Sequence, residues 1–272
     1  MRTIVHLSDL HFGRVDQALL DPLVATVTSV RPDVVAISGD FTQRARTRQF
    51  EQARAFLERL PRPQIVVPGN HDVPLYDVVR RFAAPLRRYR RFISDDLAPV
   101  FLDDQIAVMG LNTARSLTFK GGRINVAQAG LVARRFAELD DSILRVVVTH
   151  HPFNLPGHGT EEDLVGRAAM AMQVFADCGV DLLLSGHLHL AHSGDTSGRY
   201  EIPGFAALVV QAGTATSTRG RGEPNAFNVI RAGTARIEVD VHTWRPERSE
   251  FAVLRTDAFE RVGGAWSRVQ PD

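Results

Sequence analysis

The sequence predicts an α/β protein in which helices lie on the faces of a buried sheet. Two observations carry this. Short apolar runs, each followed by a polar loop, alternate with longer stretches of helical spacing, and near the C-terminus this rhythm gives way to successive strand-like runs parted by glycine-containing turns.

The apolar runs at residues 3–7, 34–37, 65–67, 106–111, 145–148 and 182–184 are too short for stable helices and read as buried strands. Between them, residues 18–30, 47–60, 128–139 and 166–178 carry apolar side chains three and four apart, the spacing of one helix face. Residues 206–211, 226–232 and 235–243 then follow as strands, so that 200–245 forms a β-rich C-terminal part. With no repeat and no linker, a single domain over residues 1–272 is the expected division.

Composition narrows the function. The 32 Lys and Arg against 31 Asp and Glu leave a charge of +1, which argues against an obligate nucleic-acid partner held by broad phosphate neutralisation. Anion binding should then be local. The single cysteine, Cys178, excludes an internal disulfide framework and a thiolate-rich metal site. No secretory leader precedes the first strand and no apolar window reaches the roughly 18 residues of a membrane span, so a cytoplasmic protein without a transmembrane segment is expected. Nothing in the composition excludes a homo-oligomer.

The polar residues of chemical interest follow the strands. Asp9 and His11 stand after the first run in Ser8-Asp9-Leu10-His11, and Gly39-Asp40 after the second. Gly69-Asn70-His71-Asp72 follows the third, His150-His151-Pro152 a later one, and Gly186-His187-Leu188-His189 the sixth. Loops at the carboxyl ends of strands in an open α/β sheet converge on one rim, where ligands bind. Residues two apart in an extended segment point the same way, which would aim Asp9 with His11 and His187 with His189. The glycines before Asp40, Asn70 and His187 are expected to turn the backbone through positive φ. Each motif alone is common, but five in order, each offering oxygen or imidazole, point to a metal centre.

This ordered series, Asp-x-His, Gly-Asp, Gly-Asn-His-Asp, His-x-Pro and Gly-His-x-His, resembles the calcineurin-like metallophosphoesterase superfamily, and the chain looks most like its compact bacterial cyclic-nucleotide phosphodiesterases (class III). The resemblance implies a four-layer α/β/β/α sandwich of two mixed sheets flanked by helices. It implies two divalent or transition-metal ions, Mn²⁺ or an Fe and Mn pair favoured, with Zn²⁺ or Co²⁺ also compatible with sulfur-free ligation. It assigns Asp9, His11 and His189 to one ion, Asn70, His150 and His187 to the other, and Asp40 to a bridge. Two such ions can share a water, lower its pKa and yield a hydroxide that attacks phosphorus in line.

His71, beside Asn70, can face the substrate while Asp72 orients its ring, and the resemblance makes it the group that protonates the leaving oxygen. His151, in the variable place before Pro152, is expected to contact substrate or the groups that support the ligands, and Arg115 and His158 to line the pocket or simply to cover it. Residues 76–93 carry Arg80, Arg81, Arg87, Arg88, Arg90 and Arg91 beside helically spaced apolar residues, as an amphipathic helical insertion interrupted at Pro85. A solvated face, a substrate clamp and a membrane or partner patch all fit that segment, the first being favoured. The expected function is hydrolysis of a small phosphodiester, with cyclic nucleotides as one substrate class. A phosphomonoesterase or a lipid or nucleotide pyrophosphohydrolase would share the motifs, and a non-catalytic interaction scaffold is the alternative of another class.

Overall fold

The predicted strands divide between two mixed sheets, as the family resemblance implies and the alternation of runs alone does not. The computed structural model describes residues 1–156, 159–219, 222–263 and 265–271. The chain opens with β1 (Arg2–Leu7), α1 (Leu20–Val30), β2 (Val34–Ile37), α2 (Thr47–Leu57) and β3 (Gln64–Val66). Two short helices follow, α3 (Val78–Ala83) and α4 (Arg87–Phe92). The middle of the chain holds β4 (Val100–Leu102), β5 (Ile106–Gly110), β6 (Gly122–Arg123), α5 (Val126–Phe136), β7 (Leu144–Val148), β8 (Val165–Gly166) and α6 (Ala168–Asp177). It continues through β9 (Leu182–Ser185), β10 (His192–Asp195), β11 (Leu208–Gln211), β12 (Ala226–Ala232), β13 (Arg236–Arg245), β14 (Glu250–Val262) and β15 (Ala265–Val269).

One seven-stranded sheet runs β15-β14-β13-β12-β1-β2-β3 and one six-stranded sheet runs β10-β11-β9-β7-β5-β4. Both are mixed: β1, β2 and β3 are parallel while β12 to β15 are antiparallel, and parallel β11, β9, β7 and β5 are flanked by antiparallel edges. Alternation along the strands explains the layering. In β2, Val34 and Ala36 pack against the other sheet while Val35 and Ile37 pack under α1 and α2 with Leu23, Val27 and Phe50. In β9, Leu182 and Leu184 face the first sheet while Leu183 faces α5 and α6 with Val132 and Phe175. Because both faces of each central strand are covered, these strands read as continuous apolar runs, and the result is the four-layer α/β/β/α sandwich.

The helices begin and end close to their expected places. α5 starts two residues early, because Asn125 caps it by accepting from the Gln128 N–H at 2.9 Å while Gln128 accepts in return from the Asn125 N–H. The β-rich C-terminal part extends past residue 245 into β14 and β15. β14 hides from pattern reading because its middle, Val253 to Arg255, is solvent-exposed and only Phe251 and residues 257–259 are buried.

The arginine-rich segment is two short helices broken around Pro85. Arg81 is buried and donates to the carbonyls of Pro74, Ser116 and Thr118, and Arg88 donates to the Ala45 carbonyl at 2.8 Å. Arg80 and Arg90 pair with Asp77 and Asp95 at the surface. Two of the six arginines are therefore internal clasps. Among the described residues no helix is long and apolar enough to cross a membrane.

Candidate metal centre

Seven side chains expected as ligands lie on loops after β1, β2, β3, β7 and β9, so both sheets feed the centre. The backbone delivers them differently from the extended geometry expected. Asp9, His11, Asp40, His187 and His189 all take positive φ, between 51° and 75°. Asp, Asn and His tolerate this left-handed region better than other side chains. Of the three glycines, only Gly39 turns through positive φ, at 94°. Gly69 is present for close approach: a Cβ there would meet Asp40 Oδ1 at 2.1 Å, and one at Gly186 would meet the Ser8 hydroxyl and Asp9.

The donor atoms converge. His11 Nε2 and His189 Nε2 lie 3.1 Å apart, and Asp9 Oδ1 is 3.4 and 3.1 Å from them respectively. Asp40 turns Oδ2 toward His11 Nε2 at 3.7 Å and Oδ1 toward His150 Nε2 at 3.5 Å. His150 Nε2 is in turn 3.0 Å from Asn70 Oδ1. Donors about 2.1 Å from a shared ion sit roughly 3 to 3.5 Å from each other, so these separations are the edges of coordination polyhedra.

The surrounding hydrogen bonds leave the required lone pairs facing inward. His150 Nδ1 donates to the Ser38 carbonyl at 2.7 Å and His189 Nδ1 to the Arg219 carbonyl at 3.2 Å, which frees each Nε2 for a cation. Asp9 Oδ2 accepts from the Ser8 hydroxyl and the His187 N–H, whereas buried Asp9 Oδ1 has no hydrogen-bond partner. Burial alone would raise both carboxyls. The imidazoles of His189 and His11 nevertheless hold Asp9 well below the usual range, and those of His150, His71 and His11 lower Asp40. An orphaned buried carboxylate oxygen among inward-facing imidazoles is a donor set suited to divalent ions, and the residues fit the two-metal group.

His71 sits at the edge of this cluster, its ring 4.9 Å from that of His11. Its N–H donates to Asp40 Oδ1 and its Nδ1 to the Gln43 carbonyl at 2.9 Å. Asp72 does not orient the His71 ring, contrary to the sequence expectation. Its carboxylate points back into the protein, accepting from the N–H groups of Phe41, Thr42 and Gly69 and from the Thr42 hydroxyl. Three amide donors outcompete a lone imidazole, and Asp72 staples the loop after β2 to the loop after β3. Burial and the neighbouring Asp40 push its carboxyl up to about 7.

Two residues missed in the sequence stand here. Arg219 places Nη1 3.0 Å from His71 Nε2. Burial first, opposed by the Asp40 carboxylate and helped by the charges of His11 and Arg219, lowers the His71 pKa. Asp163 lies 3.8 Å from His187 Nε2, and that imidazole holds the Asp163 carboxyl down. Position gave no clue to either, since one is in a loop 30 residues past His189 and the other in an acidic turn.

The expected substrate contacts fare less well. His151 is buried, with Nε2 donating to the Lys120 carbonyl and Nδ1 taken by the Thr113 hydroxyl, both at 2.8 Å. Neither nitrogen is left for substrate. Arg115 spends its guanidinium on the carbonyls of Asn112 and Ala114 and on the Gln128 side chain at the start of α5. His158 lies outside the described residues.

A family model described as calcineurin-like phosphoesterase matches residues 2–191. A probable cyclic nucleotide phosphodiesterase of Synechococcus sp. is 28% identical over 203 residues, covering 70% of this chain and 74% of that protein. Among solved structures, a yellow lupin purple acid phosphatase superposes with a TM-score of 0.72 at 12% identity, covering 96% of this chain, which spans only 54% of the lupin chain. A dimetal phosphatase from Danio rerio superposes with a TM-score of 0.65 at 15% identity over 93% of this chain and 98% of that one. These structural likenesses establish the fold.

Proposed function

Because the chain belongs to the calcineurin-like phosphoesterase family, we propose that it is a dinuclear metal-dependent hydrolase of phosphodiester-type bonds. The carrying observation is the convergence of Asp9, His11, Asp40, Asn70, His150 and His189 donors at separations of 3.0 to 3.7 Å.

In this reading Asp9, His11 and His189 hold one ion and Asn70, His150 and His187 the other. Asp40, with one oxygen toward His11 and the other toward His150, would serve both sides. Bound there, two Mn²⁺ ions or an Fe and Mn pair would supply Lewis acidity toward phosphoryl oxygens and lower the pKa of a shared water. The protein's own groups do the rest. His150 and His189 are fixed in the metal-binding tautomer by carbonyls, and Asp72 keeps two of the ligand loops in register. His71 faces the leaving oxygen through Nε2, which accepts from Arg219 at rest; to donate there the ring must first take a second proton at Nε2 as the guanidinium is displaced. An incoming oxygen takes that place, and the guanidinium remains alongside to share the charge that develops.

Likeness to the cyanobacterial protein supports cyclic nucleotides as a substrate class. A second reading, a phosphoanhydride substrate, is favoured by Arg219, whose guanidinium lies against His71 Nε2. A non-catalytic scaffold is disfavoured, since such a scaffold has no need of a complete donor set.

The test is metal content by mass spectrometry together with turnover on cyclic nucleotides, linear phosphodiesters, pyrophosphates and monoesters, with Asp40→Ala as control. The reading requires transition metal in the wild type and turnover that Asp40→Ala abolishes. A protein that takes up no transition metal and cleaves none of the panel refutes it.

A further inference from the structure

Beyond His71, away from the metal ligands, a pocket of about 390 Å³ opens, lined by Arg14, Arg44, Arg46 and Arg219 with Gly13, Gln43 and Gln49. Its volume lies within the roughly 300 to 1,000 Å³ usual for small-molecule sites. Among the described residues no Asp or Glu lines it, although the chain as a whole carries almost equal numbers of each charge. No carboxylate is paired with Arg14, Arg44 or Arg46 among the described residues. The positive charge is thus concentrated at one spot beside the chemistry.

The backbone under these arginines is built, not loose. Gln49, nearly buried, accepts from the N–H groups of both Arg44 and Arg46 through one side-chain oxygen. Between them, Ala45 takes φ 49°, donates to the Thr42 hydroxyl and accepts from Arg88 of α4. On the other wall, the Thr218 N–H and hydroxyl both reach the Arg14 carbonyl, which ties Arg14 to the neighbour of Arg219. Arg46 is also the residue that caps α2, whose first turn carries no acidic residue, so the partial positive charge of the helix start adds to the field.

Two residues of the pocket wall also contact His71. Arg219 touches His71 Nε2, and Gln43, whose carbonyl holds His71 Nδ1, is part of the pocket wall.

We propose that Arg14, Arg44, Arg46 and Arg219 form a second anion subsite that takes a phosphate group carried on the leaving side of the substrate. This rests on the phosphoesterase reading above, in which His71 marks the leaving side. Guanidinium forks pair with phosphate oxygens through two parallel hydrogen bonds, and several of them around one cavity select a group of high charge. The substrate class is therefore a phosphoanhydride or a phosphoester whose leaving alcohol is itself phosphorylated. A cyclic nucleotide, with one phosphate and a neutral leaving oxygen, leaves this wall without a counter-charge.

The experiment measures binding of inorganic phosphate and of methylenebisphosphonate to the metal-loaded protein by calorimetry, with metal content checked after titration. Wild type is compared with Arg44→Gln/Arg46→Gln and, separately, Arg14→Gln. These side chains are exposed or half-buried, and thermal melts verify that the variants fold. The double variant is expected to lose about 10- to 100-fold in bisphosphonate affinity, the scale of one or two charge-assisted pairs, with phosphate affinity changed less than about twofold. Arg14→Gln is expected to lose less, in the same selective sense. Equal loss for both ligands, or no loss for the bisphosphonate, overturns the subsite while leaving the metal centre standing. Failure of inorganic phosphate to bind wild type at all overturns the phosphoesterase reading and the subsite with it.

Discussion

Two walls meet at His71, and they are built on opposite terms. On one side, Asp9, His11, Asp40, His150, His187 and His189 are all buried, and five of the six hold left-handed backbone. On the other, Arg14 and Arg46 are exposed and Arg44 and Arg219 half-buried. Each left-handed residue costs of order 1–3 kcal/mol, and buried carboxylates add desolvation, so the first wall persists only because hydrogen bonds over-determine it and a cation would neutralise it. On the second wall Arg14 and Arg46 leave their charges in water, where they cost little. Chemistry is held rigid on one side, and recognition is held loosely beside it.

The comparison can be broken at either wall. Asp40→Ala removes a carboxylate with one oxygen toward His11 and the other toward His150, and turnover is expected to fall by at least about 10⁴-fold with loss of one or both ions, as read by steady-state kinetics and elemental analysis. His71→Ala is expected to retain both ions but lose about 10²- to 10⁴-fold in kcat, the loss growing as the leaving group becomes more basic. A uniform loss across leaving groups would remove its proton role.

Asp72→Ala sharpens the contrast differently. It orphans the amides of Phe41, Thr42 and Gly69, and at about 1–3 kcal/mol for a buried unsatisfied group the variant should unfold several kcal/mol more easily in denaturant. If Asp72 served only His71, activity would fall with stability intact.

The smallest effect concerns His6, buried on β1 and bonded to Ser38, whose pKa burial lowers to about 3. Its folded value lies below its unfolded one, so the stability linked to neutral His6 is present above about pH 6.5 and is lost as pH falls toward 3. Wild type should therefore lose up to about 1.4 kcal/mol per pH unit relative to His6→Gln between pH 6 and 4, measured as the difference between their stability curves. Parallel curves would show that His6 is not a source of acid sensitivity.

The donor cluster was legible because each contribution is local: a strand end and a donor stand within a few residues five times over, three times with a glycine between them. The sandwich followed from the family resemblance, whereas strand patterns alone suggested one sheet, since a strand covered on both faces looks the same in either arrangement. The reason given for the glycines failed at Gly69 and Gly186, where contact distance and not φ excludes a side chain. Asp72 was misread because neighbouring sequence does not say which way a carboxylate turns; of the two places expected for His151, the one beside the ligand rings fits its contacts with His150 and His187 and the one against substrate does not. The arginine wall was invisible for another reason. Its members come from residues 14, 44, 46 and 219, and the last lies beyond the stretch matched by the family. The one available signal was Arg44 and Arg46, two residues apart and only a few beyond Asp40.

The left-handed backbone at positions 9, 11, 40, 187 and 189 also bears on how this protein could change over generations. Only Asn, Asp, His and Gly enter that region readily, and β-branched residues hardly at all. Random substitution there is rejected twice, once by the ligand chemistry and once by the chain itself. Positions 14, 44 and 46 face no such filter, so substrate preference can drift while the reaction stays fixed. A mutant library confined to those three codons is the one from which new specificities should be recovered.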